Sequence, residues 1–276
     1  MSDGARRARV VDPAVEIHPQ VGIHPQAIVH PDAELDSSVT VGPWTMIGPG
    51  VNIGAGTVIG PSVLIEKDTT VGAGCQLSKG AVLGTDPQDL KYEGEPTELV
   101  VGERTVIREY ATLNRGTAAS GRTTVGDGCL LMAYTHVAHD CYLGNGVILS
   151  NAVNMAGHVH IEDHAIVGGL TAIHQFARIG AHAFIGGASR ISQDVAPFCL
   201  VAGSPAKLYG LNSVGLARRG FSAEVRQALK QVYQILFSSN SNLSQAVVRA
   251  REEAPQVAEV KLLLDFIEGS ERGITT

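Results

Sequence analysis

The sequence predicts a mainly β fold: a parallel β-helix of hexapeptide repeats over residues 1–202, followed by an α-helical domain over 203–276. Three observations carry this. Stepping by six from Ile23 meets Val29, Leu35, Val41, Ile47, Ile53, Ile59, Ile65, Val71, Leu77 and Leu83, and the count resumes from Val101 to Leu113 and from Val125 to Ile191. The residue two before a stop is usually small or β-branched (Val39, Thr45, Val51, Thr57), and the one after is often glycine (Gly42, Gly48, Gly54, Gly60). Beyond Pro197 the period changes, and apolar residues recur at helical spacing.

Strand geometry explains the count. A strand alternates its side chains, so two positions in each repeat can point at a common axis. Three faces then close a coil of about 18 residues, stacked roughly 4.8 Å on the next. The turns between faces call for small residues or glycine able to take positive φ. An α-helix cannot use the same step, because about 100° per residue scatters the stops around the cylinder. A glycine-rich linker would lack the obligate aliphatics.

The composition agrees. The chain has 276 residues, 44% hydrophobic but only 5% aromatic, which suits a narrow prism filled by Val, Ile and Ala. A net charge of −6 argues against nucleic acid as a partner. No apolar run is long enough for an integral membrane segment, and Met1–Val10 lacks the apolar core of a signal peptide, so a cytoplasmic chain is expected. Cys75, Cys129, Cys141 and Cys199 form no C-x-x-C pair and are expected to stay reduced.

Taken in order, coils are expected from about Val11 to Leu83, with His18, His24 and His30 as corner residues. The stretch at about 85–98 is polar and puts Asp89 and Glu95 where aliphatics are due, so it reads as a loop leaving the prism. A second loop is expected at about 115–124. Insertions in solenoids collect at binding faces. After the coils, Ser222 can cap a helix carrying Val225, Leu229, Val232 and Leu236, with a turn at Ser238–Asn242. Leu243, Val247 and Ala250 predict a second helix before Pro255; Val260, Leu263, Leu264 and Ile267 predict a third, ended by Gly269.

Chemistry is expected where histidines gather: His136, His139, His158, His160, His164, His174 and His182. Val137, Met155 and Ile173 occupy one face on successive coils, so His139, Asp140, His158 and His174 share an edge of the prism. A histidine beside a carboxylate is a good general base near neutral pH. Three histidines could instead hold zinc with an open position, and His160-x3-His164 invites that reading. A γ-type carbonic anhydrase would need such a site; the expectation is that no metal is held.

Longer segments then become specific. Gln88–Thr97 (QDLKYEGEPT), Ile107–Glu109, Arg115–Thr117 (RGT), Thr135–Cys141 (THVAHDC), Ala156–Val159, Ile173–Phe176 (IHQF), Gly210–Asn212 and Arg218–Phe221 (RRGF) resemble the UDP-N-acetylglucosamine acyltransferase family over nearly the whole chain. The resemblance implies a homotrimer of left-handed β-helices with sites between subunits. It implies transfer of an (R)-3-hydroxyacyl group from acyl carrier protein to the glucosamine 3-hydroxyl of UDP-GlcNAc, the first step of lipid A synthesis, without a cofactor. By the same resemblance His139 is the base, Asp140 its partner and the Gly157 N–H the oxyanion donor. Asp89, Lys91, His136, His158, His174 and Gln175 would hold substrate, Asn212, Arg218 and Arg219 the nucleotide end, and Gly187 would set acyl length. Arg104, Arg108, Arg115 and Arg122 are candidates for the carrier's basic docking surface. Some relatives carry His where Asn114 stands and an acid where Val214 stands, and some accept a 3-amino sugar. The related N-acyltransferases have a uridine-binding domain ahead of their repeats, and repeats from about residue 11 leave no room for one.

Overall fold

The structure, a computed structural model, describes residues 22–237 and 242–276; the expected coil start near Val11, the corner His18 and most of the turn at Ser238–Asn242 lie outside them. From Ile23 the chain winds a left-handed parallel β-helix of three sheets with nine, eight and ten strands, most two residues long. Ile28–Val29 opens face one, Glu34–Leu35 face two and Thr40–Val41 face three, and the sequence revisits the faces in that order. Leu113, Val137, Met155 and Ile173 stack as adjacent rungs of face one. Every hexapeptide stop from Val41 to Ile191 that falls on a strand is buried along the axis.

The position two before a stop has a polar duty as well as a steric one. The Thr45, Thr57 and Thr105 hydroxyls donate to the carbonyls of Gly60, Gly72 and Gly126 at 2.7–2.9 Å, and accept from the N–H of Val63, Cys75 and Cys129. A buried hydroxyl is tolerated because both of its roles are satisfied. Cys75 and Cys129 take the same position and point their thiols at carbonyls. All four cysteines are free and buried, and burial pushes the Cys141 and Cys199 thiols up to about 12.

The glycines after the stops do not serve the expected purpose. Left-handed φ falls two residues later, where Trp44, Tyr134, Asp140, His158 and Phe176 take φ of 58–63°. The glycines are required by close stacking: a Cβ on Gly48 would lie 1.7 Å from the Glu66 carbonyl oxygen of the next coil. Gly48→Ala is therefore expected to cost about 1–3 kcal/mol, as overpacking does, and to lower the thermal midpoint. An unchanged midpoint would mean the coils can spread.

Two insertions leave the prism at the edge between faces one and two, here the first edge. Strands Val82–Thr85 and Glu98–Val101 flank the segment 86–97, and Thr112–Asn114 and Arg122–Val125 flank 115–121. The second loop is shorter than expected because Arg122, Thr123 and Thr124 extend the ladder opposite Glu98, Leu99 and Val100. Val82 pairs with Thr112, and Thr112 with His136, so each insertion lengthens its coil by a multiple of six and the count stays in phase.

After Cys199–Ala202 the chain reverses, and Lys207–Leu211 pairs antiparallel with it on face three. Helices follow at Ser213–Arg218 (α1), Ala223–Phe237 (α2), Leu243–Glu253 (α3) and Ala258–Glu268 (α4). The Ser222 hydroxyl accepts from the Val225 N–H, and Asn242 caps α3 through the Gln245 N–H. Leu229, Val232, Leu236, Val247, Leu263 and Leu264 form a second core that also takes in Phe198 at the top of the β-helix. The sequence did not predict the returning strand or α1. Among the described residues no helix is long and apolar enough to cross a membrane.

Candidate active site

The first edge carries the chemistry. Coil after coil it presents the turns that contain Asp140, His158 and Phe176, each in the left-handed region, with both insertions on the coils below. A bulky residue in that region is strained by about 1–2 kcal/mol; the other edges carry the same turn, as at His164, His182 and Phe198, so it sets the outward aim of these side chains without singling out this edge.

The Asp140 side chain is fully buried. Its Oδ1 accepts from the Thr117 N–H at 2.9 Å and from the Ser120 hydroxyl, while Oδ2 accepts from the Thr117 hydroxyl at 2.8 Å and from His139 Nδ1 at 2.7 Å. Burial alone would raise the carboxyl pKa, but the donors Ser120, His139 and Thr117 outweigh it and bring it down to about 2. Because this lies below the ordinary value of 3.8, the stability it adds is complete above that pH and is lost as pH falls through about 2.

An ionised carboxylate only accepts, so His139 Nδ1 must carry a proton, and in the neutral ring Nε2 is then the lone pair. The ring lies against Gly157: a Cβ there would meet Cε1 at 2.5 Å and Nε2 at 2.6 Å, so glycine is needed for the ring to lie on the coil above. The Gly157 N–H has no acceptor among the described residues. This position points its N–H out of the ladder in every regular coil, which is why Pro43, Pro49 and Pro61 can occupy it. His158 packs edge-on against His139 at 5.2 Å, stacks on Phe176 at 4.5 Å, and brings Nε2 to 3.6 Å from Asp140. His136, on face one, shares a 2.7 Å hydrogen bond with Thr112, and burial, with a smaller contribution from the nearby His139, pushes its pKa down.

His139, Asp140 and His158 are also close enough to suggest a metal. The donor set argues otherwise: four protein donors already occupy the Asp140 lone pairs, and His139 Nδ1 is protonated. The rival His160 and His164 separate, with His160 stacked on Tyr142 at 4.5 Å and His164 tilted against His182 on the edge between faces two and three.

A protein-family model described as UDP N-acetylglucosamine O-acyltransferase, domain 2, matches residues 194–275, and the bacterial transferase hexapeptide model matches 122–157. The acyl-[acyl-carrier-protein]–UDP-N-acetylglucosamine O-acyltransferase of Thermodesulfovibrio yellowstonii is 50% identical over 243 residues, 88% of this chain and 94% of that one. The chain belongs to the UDP-N-acetylglucosamine O-acyltransferase family. The Sulfurihydrogenibium enzyme of the same name is 56% identical over 88% of this chain and 90% of its own. The solved Moraxella catarrhalis UDP-N-acetylglucosamine O-acyltransferase superposes with a TM-score of 0.89 at 39% identity, covering 92% of this chain and 99% of that one.

Within the chain the residues that resemblance to this acyltransferase family singles out lie on different edges. His136, His139, Asp140, Gly157, His158, His174 and Gln175 lie on or beside the first edge, and Asp89 and Lys91 sit on its lower loop, where the Lys91 N–H bonds Asp89 Oδ1 at 3.0 Å. Gly187 is exposed on the edge between faces three and one. Arg218 ends α1 and Arg219 is its C-cap; both are exposed and make no ion pair among the described residues. Asn212 has little left for a ligand: its Oδ1 caps α1 at the Gly215 N–H and one Nδ2 proton goes to the His182 carbonyl, leaving one N–H.

The expected carrier surface is corrected. Arg115 is fully buried and donates to the Gly84 carbonyl, Asp86 and the Tyr92 hydroxyl. Arg104 pairs with Glu103 and Asp127, Arg108 with Glu109, and Arg122 with Glu98, and the three lie on different edges of the prism, so they form no common patch. Asn114, the departure from some relatives, donates to Thr85 and to the Asp86 carbonyl and so shapes the first loop; Val214 is exposed on α1. Sequence reasoning missed Thr112, Thr117 and Ser120. A signal existed: in the six-count Arg122 lies one coil before Asp140, so the loop it ends had to pass beneath that carboxylate.

Proposed function

We propose that this chain transfers an (R)-3-hydroxyacyl group from acyl carrier protein to the glucosamine 3-hydroxyl of UDP-GlcNAc, the opening step of lipid A synthesis. The observation that carries it is His139 Nε2, left without a partner among the described residues by the bond of Nδ1 to Asp140, beside a bare Gly157 N–H one coil above. Nε2 takes the proton of the attacking hydroxyl as its oxygen adds to the thioester carbonyl. The Gly157 N–H faces the developing oxyanion, a fixed donor that needs no reorganisation. Collapse expels the carrier's thiolate, which leaves with the proton held on the imidazole. Asp140, kept ionised by Thr117 and Ser120, orients the ring and stabilises the imidazolium.

The separation of candidate residues over different edges and α1 supports a homotrimer with sites between subunits, because Gly187 and the nucleotide-binding Arg218 and Arg219 can then approach the first edge of a neighbour. His136, His158, His174, Gln175, Asp89 and Lys91 line the acceptor side in this reading, and Asn212 contributes its remaining N–H. For the acidic carrier, Arg226 and Lys230 on α2 are better placed than the paired arginines: both border a cleft of about 530 Å³ between α1 and α2. Four buried free thiols fit a reducing cytoplasm.

Purified protein given (R)-3-hydroxyacyl carrier protein and UDP-GlcNAc is expected to transfer acyl groups at an unchanged rate after treatment with a chelator. Loss of activity on chelation, restored by zinc, would sink the metal-free mechanism. Transfer to a 3-amino sugar alone would move the acceptor.

A further inference from the structure

The C-terminal tail, which the mechanism does not use, lies on the edge that carries the base. Continuing the column upward from Asp140, His158 and Phe176 reaches Asp194, which is buried, and the tail is laid against it. Ser270 donates to Asp194 Oδ2 at 2.7 Å, the Asp194 N–H donates to the Gly273 carbonyl at 2.9 Å, and the Thr275 N–H donates to the Asp194 carbonyl at 2.8 Å. Backbone on both sides of Arg272 is thus pinned, and the guanidinium is further held by the Ser192 carbonyl at 3.1 Å.

So held, Arg272 brings Nη2 to 3.3 Å from His174 Nδ1. The same Nδ1 lies 3.1 Å from the carbonyl oxygen of Gln175. These contacts make opposite demands. A guanidinium can only donate, so it requires Nδ1 to be a lone pair and places the ring proton on Nε2; a carbonyl can only accept, so it requires Nδ1–H and leaves Nε2 bare. A neutral imidazole satisfies one at a time.

We propose that Arg272 is a positioning residue of the active site: it holds His174 as the Nε2–H tautomer, so that His174 offers the substrate a donor rather than an acceptor. The end of the chain therefore completes the edge, 98 residues away in sequence from the histidine it sets. The proposal rests on the reading above in that His174 touches substrate, but the state of the ring can be observed without substrate.

The experiment is histidine ¹⁵N NMR on the intact protein, with His174→Gln to assign the signal, alongside steady-state kinetics of Arg272→Ala and Arg272→Lys. The expected result is an Nε2–H signature in the parent that becomes Nδ1–H in Arg272→Ala, with KM for UDP-GlcNAc raised roughly five- to tenfold, about the worth of one lost hydrogen bond. Arg272→Lys, which keeps a charged donor, should restore both readouts; a tail that had merely loosened would not be rescued. An unchanged tautomer in Arg272→Ala overturns the proposal. A changed tautomer with unchanged KM upholds the hold of Arg272 on the ring and removes His174 from the substrate-binding set.

Discussion

Replacing His139 by alanine is expected to lower kcat/KM by about 10²–10⁴-fold, the contribution of a positioned general base. The loss should appear in kcat more than in KM, because Nε2 acts on the hydroxyl proton only as the bond forms. The fold should survive: the ring is close to the surface, 13% exposed, and leaves no core cavity. Thermal denaturation run beside the assay separates the outcomes. A variant that folds with near-parental activity would remove His139 as the base. The Asp140 carboxylate left behind keeps its three donors from Thr117 and Ser120, so His139→Ala tests the base without dismantling its support.

Arg115→Met is the second large effect, and it acts on stability. The Arg115 guanidinium is fully buried and joins both insertions: it donates to Gly84 and to Asp86 and Tyr92 of the first loop, while two residues later Thr117 holds Asp140. Burial alone would lower its pKa, but Tyr92 and Asp86 outweigh that and keep the group charged. Removing the cation strands the buried Gly84 carbonyl and frees the first loop from its bonds through Asp86 and Tyr92, at about 3 kcal/mol given typical values for hydrogen bonds to charged groups. The expected readout is a lower thermal midpoint together with faster proteolysis in 86–97. Arg115→Lys should recover little, because an ammonium cannot match the planar fork that reaches three acceptors at once. If Arg115→Met kept both the midpoint and the protease resistance, the lock between the loops would be refuted.

The β-helix was legible because each coil repeats the same local problem. An aliphatic at every stop, a small or β-branched residue two before it and a glycine after it restate one geometry, so an error at any single position hardly matters. The reason for the glycines was not legible. Close stacking and positive φ both favour glycine, and only the contact of Gly48 with the next coil shows which applies. The three main helices were readable from Leu229 and Val232, Val247 and Ala250, and Leu263 and Leu264, with their caps. The strand Lys207–Leu211 was not, because it forms only by pairing with Cys199–Ala202 after a reversal.

The candidate site divides the same way. The sequence determined that His139, Asp140 and His158 share an edge, because the six-count places residues on edges as surely as on faces. It named Asn212 and Arg115 as functional residues without revealing that one caps a helix and the other is buried between loops. Only the tertiary structure decided which nitrogen of His139 carries the proton, what keeps Asp140 ionised, and that Arg272 lies against His174. The physical reason is range. A periodic backbone fixes position through local geometry, whereas protonation and hydrogen-bond direction depend on partners that loops and the chain end bring from elsewhere.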